Sequence, residues 1–431
     1  MRPVLPITLE QPLHDAAQTR AIERAASAAL PAHTLMRRAG NSVARLARAL
    51  APNARSFWIA AGPGNNGGDG LEAALQLRAA GYDVEVSLLA NAEALPADAA
   101  DAFARAQAAG VTLSTAPSPG ATHGFAIDAL LGVGAARAPA GAIAAAIDAL
   151  NAFDARVLAI DLPSGLHADT GRPLGAACVC AANTLALLTL KPGLFTAAGR
   201  DQAGRVWFDD LGVEPSSAEP IAWLSGSARP AAPARRHLQH KGSFGDVTVV
   251  GGAPGMAGAA LLAARAAHAA GAGRVYVKLL DTSAAAIALD STRPELMFRE
   301  AHGATREALA HGTIVAGCGG GEAVRPHLAR LLGGAHRLVL DADALNAIAL
   351  DTSLATLLRA RAARGRATVL TPHPLEAARL LGIATADVQA DRLHAAAALA
   401  ARFECSVVLK GSGSVIAAPG ATPRINATGN A

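Results

Sequence analysis

Aromatic side chains make up only 3% of this 431-residue sequence, which excludes a core built on large rings. The hydrophobic fraction of 52% rests instead on alanine-rich stretches such as Ala259 to Ala270, which suit small-residue helices packed closely on sheets. No apolar run reaches the ~18 to 20 residues that a membrane-crossing helix needs. The segment Met1 to Gln11 is broken by prolines and has no secretory apolar region, so a cytoplasmic protein without a membrane partner is expected. Cysteine is equally scarce. Cys178, Cys180, Cys318 and Cys405 form no CxxC pair and have no histidine at metal-ligand spacing, which argues against a disulfide framework or zinc site and for buried reduced thiols. The net charge of +4 comes from scattered basic residues without interleaved aromatics, so no nucleic-acid partner is expected. Lysine is the rarest cation, with four against thirty-four arginines. A lysine kept against that bias points to a need for a compact ammonium, and Lys191, Lys241 and Lys410 each stand beside a glycine or a Pro-Gly turn.

The length exceeds the ~250 to 300 residues at which a single core stops growing, so two domains are expected. A helical stretch from Asp15 to Ala49 comes first. Short, continuously apolar segments then alternate with alanine-rich helices: Phe57 to Ala61, Val84 to Leu89, Phe125 to Leu130, Val157 to Asp161 and Thr184 to Leu188. Such a pattern predicts a parallel sheet covered on both faces. Glu214 to Pro233 is rich in proline and small polar residues and reads as the boundary. The alternation then restarts, with strands expected at Asp246 to Val250, Arg274 to Leu279, Thr313 to Val315, Arg337 to Leu340, Ala367 to Leu370 and Ser406 to Leu409.

Two glycine-rich segments follow strands and precede helices. In Ser56 to Ala80, Gly62, Gly64 and Gly67 satisfy GxGxxG, a spacing that brings backbone amides to a pyrophosphate but also suits any tight strand-to-helix turn. Asp83 and Glu85 lie too early in the next strand for a ribose-binding acid, which disfavours an ordinary dehydrogenase. The string Asn65-Asn66-Gly67-Gly68-Asp69-Gly70 is more specific, since it packs polar side chains into a bend whose glycines turn the backbone toward a ligand. This GxGNNGGDG segment, with IDALLGVGAARA at Ile127 to Ala138 and AIDLPSG at Ala159 to Gly165, resembles the NAD(P)H-hydrate epimerase domain.

That resemblance implies a Rossmann-like three-layer αβα domain over residues 1–220. It implies hydrate binding by Asn65, Asn66, Gly67, Gly68 and Asp69, and by Gly132, Val133, Gly134, Ala135, Ala136, Arg137 and Ala138. Potassium would be held by Asn66, Asp128 and Ser164, whose oxygens suit a hard cation. Asp161 would bind the hydrate and act as the general acid/base that interconverts its R and S forms. Simpler roles stay open: Arg137 as a solvated charge, and Asp161 as a cap on the turn at Pro163 and Ser164. LMRRAG at Leu35 to Gly40 and LKPGLF at Leu190 to Phe195, which contains Lys191, are also similar to the family.

The second glycine-rich segment, His240 to Gly273, is followed by VAGCGGG (Val315 to Gly321), DADALN (Asp341 to Asn346), LTPHPLE (Leu370 to Glu376) and VLKGSGS (Val408 to Ser414). In this order they resemble the ADP-dependent NAD(P)H-hydrate dehydratase domain, which implies a ribokinase-like αβα fold over residues 221–431. Ala259, Gly321 and His373 would then touch the hydrate. Lys410, Gly411, Ser412, Gly413 and Ser414 would cradle the phosphates of ADP or AMP, a lysine-led glycine-serine turn supplying charge and amides. A surface hairpin for that turn, and a rigid Pro-His-Pro loop around His373 without ligand contact, are the competing readings. Asp341 and Asp343 would hold magnesium through water or cap the next helix. The implied reaction transfers a phosphoryl group from ADP to the hydrate and eliminates phosphate, giving AMP and NAD(P)H.

The chain departs from the family in three places and at its end. Leu375 replaces glycine, and Cys318 and Gly320 replace proline and leucine. The sequence ends at Ala431, where a GxGD segment would begin, so either the sequence is cut short there or the second active site is incomplete. Alternatives are an epimerase with an inactive second domain, a ribokinase-like small-molecule kinase fused to a nucleotide-binding domain, and a non-catalytic nucleotide-binding scaffold. A homo-oligomer stays open.

Overall fold

The computed structural model describes residues 1–116, 124–214, 218–226, 235–283, 288–299 and 304–429. Two compact units are present, Met1–Ala228 with Ile425–Asn430, and Arg229–Arg424. Of the segment Glu214 to Pro233 read as a boundary, 215–217 and 227–233 lie outside the described residues.

The first unit opens with β1 (Arg2–Pro3) and β2 (Gln11–Leu13), then α1 (Ala16–Ala29) and α2 (Thr34–Leu50). The sequence had suggested one helical stretch here. Pro31 divides it, because a proline disfavours the helical conformation of the residue before it, and Leu30 is extended. Asp15 caps α1, its carboxylate accepting from the Gln18 amide at 2.7 Å. There follow β3 (Ser56–Ala61), α3 (Asn65–Ala79), β4 (Asp83–Leu88), α4 (Ala97–Ala108) and β5 (Thr112–Ser114). The unit continues with β6 (Phe125–Ala129), α5 (Gly141–Asn151), β7 (Val157–Ile160), β8 (Asn183–Leu187), α6 (Gly199–Gln202), β9 (Arg205–Asp209) and β10 (Ala222–Leu224).

Its main sheet has the order β1-β9-β8-β7-β6-β3-β4-β5, parallel except for β1. Phe57 and Ile59 pack with α2 and α3 on one face, while Trp58 and Ala60 pack with α5 on the other. Both faces are therefore covered, as the continuous apolar strands predicted, and each buried large side chain contributes ~1.5 to 3 kcal/mol. The chain enters at β3, runs outward to β4 and β5, then returns to β6 on the other side. Ligands of open α/β sheets bind outside the strand ends at such a reversal.

The second unit contains β11 (Asp246–Gly251), α7 (Ala257–Ala269), β12 (Arg274–Leu279), β13 (Met297–Phe298), α8 (Arg306–His311) and β14 (Thr313–Ala316). Next come α9 (Arg325–Gly334), β15 (Arg337–Leu340), α10 (Asp343–Leu350), α11 (Thr352–Arg359), β16 (Ala367–Leu370) and α12 (Pro374–Leu381). It ends with α13 (Thr385–Ala390), α14 (Arg392–Phe403), β17 (Ser406–Leu409) and β18 (Ser414–Ala417). The strand order β13-β12-β11-β14-β15-β16-β17-β18 is parallel until β18, and it reverses between β11 and β14. Val249 and Val250 point to opposite apolar clusters, so this sheet too is sandwiched.

All four cysteines are free; Cys178 and Cys405 are buried and Cys318 partly so. Cys180 corrects the expectation of buried thiols. It is exposed, its backbone amide held by the Asn151 side chain at 2.8 Å. Among the described residues no helix is long and apolar enough to cross a membrane.

Candidate functional site

A cavity of about 810 Å³ opens at the reversal of the first sheet. Its walls come from α1, α2, the start of α3 and the loop Leu130 to Ala140, with Asp161, Leu187 and Lys191 at the strand ends. Every residue from Gly132 to Ala138 lines it, as do Asn65, Asn66 and Asp69.

The Asn65 to Gly70 string is not the loop that the sequence suggested. It forms the first turns of α3, with Gly64 as N-cap and no side-chain cap, so the leading amides have no intrahelical partner. Two of its glycines serve close packing. A Cβ at Gly67 would stand 2.0 Å from the Gly62 carbonyl oxygen, and one at Gly70 would stand 2.5 Å from the Ala129 Cβ. The helix thus seats its polar first turn against the ends of β3 and β6. Gly67 and Gly68 do not line the cavity, whereas the side chains beside them do.

Asp128, at the end of β6, is fully buried. It accepts from the Ser164 hydroxyl at 2.6 Å, the Ser164 amide at 2.8 Å and the Leu130 amide at 3.2 Å. It has no cationic partner among the described residues, and burial lifts its carboxyl to about 6. Asn66 stands close by, its amide group 3.3 Å from where a Gly132 Cβ would be. Its Nδ2 is buried with no hydrogen-bond partner. The two ends of an amide are isosteric, so this orphaned position equally suits the amide oxygen facing a cation.

Asp161 follows β7 with φ +66°, a left-handed conformation costing a non-glycine residue about 1 to 3 kcal/mol. Its Oδ1 accepts from the Leu187 amide at 3.3 Å and from Lys191, whose ammonium also donates to the Leu187 carbonyl at 2.7 Å. Lys191 is fully buried. The turn at Ser164 is held by Asp128, and Asp161 lines the cavity. Arg137 is exposed at the rim, with no hydrogen bond or ion pair among the described residues.

Two contributors were not assigned roles from sequence. Lys191 was noted in a motif, and only the fold shows that it meets Asp161. Glu23, on α1, also lines the cavity, and burial together with Asp161 raises its carboxyl. Nothing local marks it, since it sits in an ordinary amphipathic helix. Asp69 is raised well above the carboxylate range by burial, with Asp161 and Glu23 adding to the effect.

In the second unit the motif residues gather at the carboxyl ends of β11, β14, β15, β16 and β17. The Gly251 to Ala253 turn is tied to Val315 to Gly321 by the Gly252 amide on the Cys318 carbonyl at 3.0 Å and the Ala253 amide on Gly319 at 2.7 Å. Ala259 lies against Gly319. Asp343 accepts from the Gly321 amide at 2.8 Å, and neither aspartate of DADALN caps α10, which has no side-chain cap. Lys410 donates to Asp341 at 2.6 Å, and Thr371 donates to the same oxygen at 2.8 Å. The Cys318 thiol beside Asp341 is pushed up to about 11, chiefly by burial. His373 caps α12 in a reciprocal box with Glu376: its Nδ1 accepts from the Leu375 amide at 3.2 Å and Glu376 accepts from the His373 amide at 2.8 Å. The Lys410 to Ser414 turn is fixed by the buried Arg392, whose guanidinium donates to the carbonyls of Leu409, Lys410 and Gly413 at 3.4, 3.2 and 3.4 Å.

Comparison with known proteins gives two family matches, described as "YjeF-related protein N-terminus" over residues 32–193 and "NAD(P)H-hydrate dehydratase" over residues 247–431. The chain is 36% identical over 408 residues to the bifunctional NAD(P)H-hydrate repair enzyme Nnr of Escherichia coli, covering 90% of this chain and 75% of that protein. It is 35% identical over 459 residues to the Moorella thermoacetica enzyme of the same name, covering 96% and 83%. Among solved structures, an ADP/ATP-dependent NAD(P)H-hydrate dehydratase from Bacillus subtilis co-crystallized with ATP/Mg2+ matches with 25% identity and a TM-score of 0.35, over 46% of this chain and 69% of that one.

Proposed function

Since the chain belongs to the family of bifunctional NAD(P)H-hydrate repair enzymes, we propose that it salvages both epimers of hydrated NADH and NADPH. The epimerase domain is residues 1–220 and the dehydratase domain residues 221–431. The layered αβα units fit Rossmann-like and ribokinase-like architectures in that order. The observation that carries the reading is the convergence of Asp161, Asn65, Asn66, Asp69 and the Gly132 to Ala138 loop on one open cavity at the sheet reversal.

In the first domain Asp161 is the general acid/base that interconverts the R and S hydrates at the carbon bearing the hydroxyl. Lys191 holds the carboxylate in place and leaves its other oxygen to the substrate. The amides of the 132–138 loop and the uncapped start of α3 receive the substrate's phosphates, with Arg137 closing over them. The potassium site fits Asn66, Asp128 and Ser164: a buried carboxylate without a counter-charge lies beside an orphaned amide. A potassium ion there supplies positive charge that offsets Asp128.

In the second domain Ala259, Gly321 and His373 face the hydrate, and Lys410, Gly411, Ser412, Gly413 and Ser414 hold the phosphates of ADP. Asp341 and Asp343 suit magnesium through water, because among the described residues each keeps an oxygen that no nitrogen engages, the Asp341 one meeting only the Cys318 thiol at 3.8 Å. Magnesium supplies charge neutralisation for the transferred phosphoryl group. Lys410 exchanges Asp341 for phosphate when ADP binds.

The experiment is direct. Purified chain is given separated R hydrate with potassium, and S hydrate is followed by chiral chromatography; ADP and magnesium are then added and reduced-nicotinamide absorbance is followed. Epimer exchange that disappears in Asp161→Ala with the fold intact supports the first assignment. Retention of more than about a tenth of the rate removes Asp161 from this role.

A further inference from the structure

Inverting a hydroxyl-bearing carbon by loss and return of water takes a proton given to the departing hydroxyl on one face and a proton removed from the entering water on the other. Asp161 supplies one carboxyl. The same cavity is lined by a second, Asp69, four residues after Asn65 on the same face of α3. Asp69 differs from Asp161 in its surroundings: it has no hydrogen bond or ion pair among the described residues, whereas Asp161 meets the buried Lys191 ammonium. A group that meets only donors is fixed as an acceptor. A carboxyl in a desolvated wall without a counter-ion favours the protonated form. Burial and the nearby Asp161 and Glu23 push Asp69 in that direction. Asn66, three residues before Asp69 on α3, lines the same cavity.

Resting on the hydrate reading of this cavity, we propose that Asp69 is a second catalytic acid/base of the epimerase, acting from the α3 wall while Asp161 acts from the strand end. Water added across the enamine double bond of a dihydronicotinamide puts the hydroxyl on the carbon beside the ring nitrogen. The Asp69 carboxyl gives its proton to that hydroxyl. The carbon–oxygen bond breaks with its electron pair leaving on water, and the nitrogen lone pair closes a carbon–nitrogen double bond. A water on the other face then forms the new carbon–oxygen bond, the double-bond pair returns to nitrogen, and the surplus proton passes to the Asp161 carboxylate. Nothing is oxidised or reduced. The reverse epimerisation runs with the two carboxyls exchanging roles, and solvent in the open cavity resets their protons. The other charged groups facing this space are Glu23, Asp98, Arg20, Arg137 and Lys191.

The full chain with potassium is assayed on separated R hydrate in water enriched in oxygen-18, alongside Asp69→Asn and Asp69→Glu. Wild type is expected to take up the heavy oxygen as it exchanges epimers. Asp69→Asn is expected to lose about 100-fold or more in kcat while KM moves less than about threefold, with one limb of the pH profile removed. Asp69→Glu, which keeps the carboxyl, is expected to recover at least about a tenth of wild-type kcat. A KM rise with kcat intact, or glutamate failing as completely as asparagine, overturns the proposal. So does epimer exchange without oxygen uptake. If Asp161→Ala is inactive and Asp69→Asn is not, only this proposal falls; if wild type exchanges no epimers, the hydrate reading falls with it.

Discussion

Lys191 and Asp161 form an ion pair on the cavity floor in which the lysine is wholly buried and the aspartate sits in a left-handed backbone conformation. Thirty residues separate them in the chain, and the parallel pairing of β7 with β8 brings them together. The ammonium also grips the Leu187 carbonyl, so one lysine joins the end of β8 to the candidate acid/base.

Removing one partner of a buried pair leaves an uncompensated charge, at a cost of ~3 to 5 kcal/mol. Lys191→Met is therefore expected to lower the thermal midpoint sharply and to reduce epimerisation. The double variant with Asp161→Asn should be less destabilised than the two single losses added together. Additive losses in a denaturant-based double-mutant cycle would show that the pair is not coupled.

Asp128 links stability to pH and potassium. Its carboxyl is raised from 3.8 to about 6, so the folded chain keeps a proton over an interval in which the unfolded chain releases it. Stability present at acid pH is thus lost as pH rises through about 6, by at most ~3 kcal/mol. A cation held beside the carboxylate opposes that loss. Potassium chloride is expected to raise the thermal midpoint at pH 8 more than choline chloride at equal ionic strength, and to lose that advantage at pH 5. Equal midpoints in the two salts at pH 8 would remove potassium from this site.

Gly67→Ala should destabilise the first unit even though alanine is the better helix former by ~1 kcal/mol. The added Cβ would meet the Gly62 carbonyl oxygen at 2.0 Å, and neither backbone segment can yield without shifting α3 from the sheet. A net loss of ~1 to 3 kcal/mol is expected in chemical denaturation. A neutral or stabilised variant would mean that this contact relaxes freely.

His373→Asn separates capping from ligand contact. Asparagine is a good N-cap and should keep α12 in place, whereas His373→Ala should lose ~1 kcal/mol. If the imidazole touches the hydrate, the asparagine variant binds it more weakly at unchanged stability, as read by calorimetric titration. Unaltered hydrate affinity would leave His373 as the helix cap alone.

The motifs stood out in the sequence because local chemistry is written locally. Continuous apolar runs marked eleven core strands to within a residue or two, since a strand covered on both faces must be apolar throughout. Other strands were missed for the same reason. β9 reads Arg-Val-Trp-Phe-Asp, with charges at both ends, and β2 and β10 are only three residues each.

From sequence alone came two layered α/β units, the family they resemble and the residues that carry its motifs. These depend on composition, strand periodicity and short-range spacing. Only the tertiary structure decided that NNGGDG is helix rather than loop, that Lys191 meets Asp161, that Glu23 shares their cavity and that Arg392 fixes the Lys410 turn. Those outcomes depend on desolvation and on contacts between residues far apart in the chain, and no local pattern encodes either.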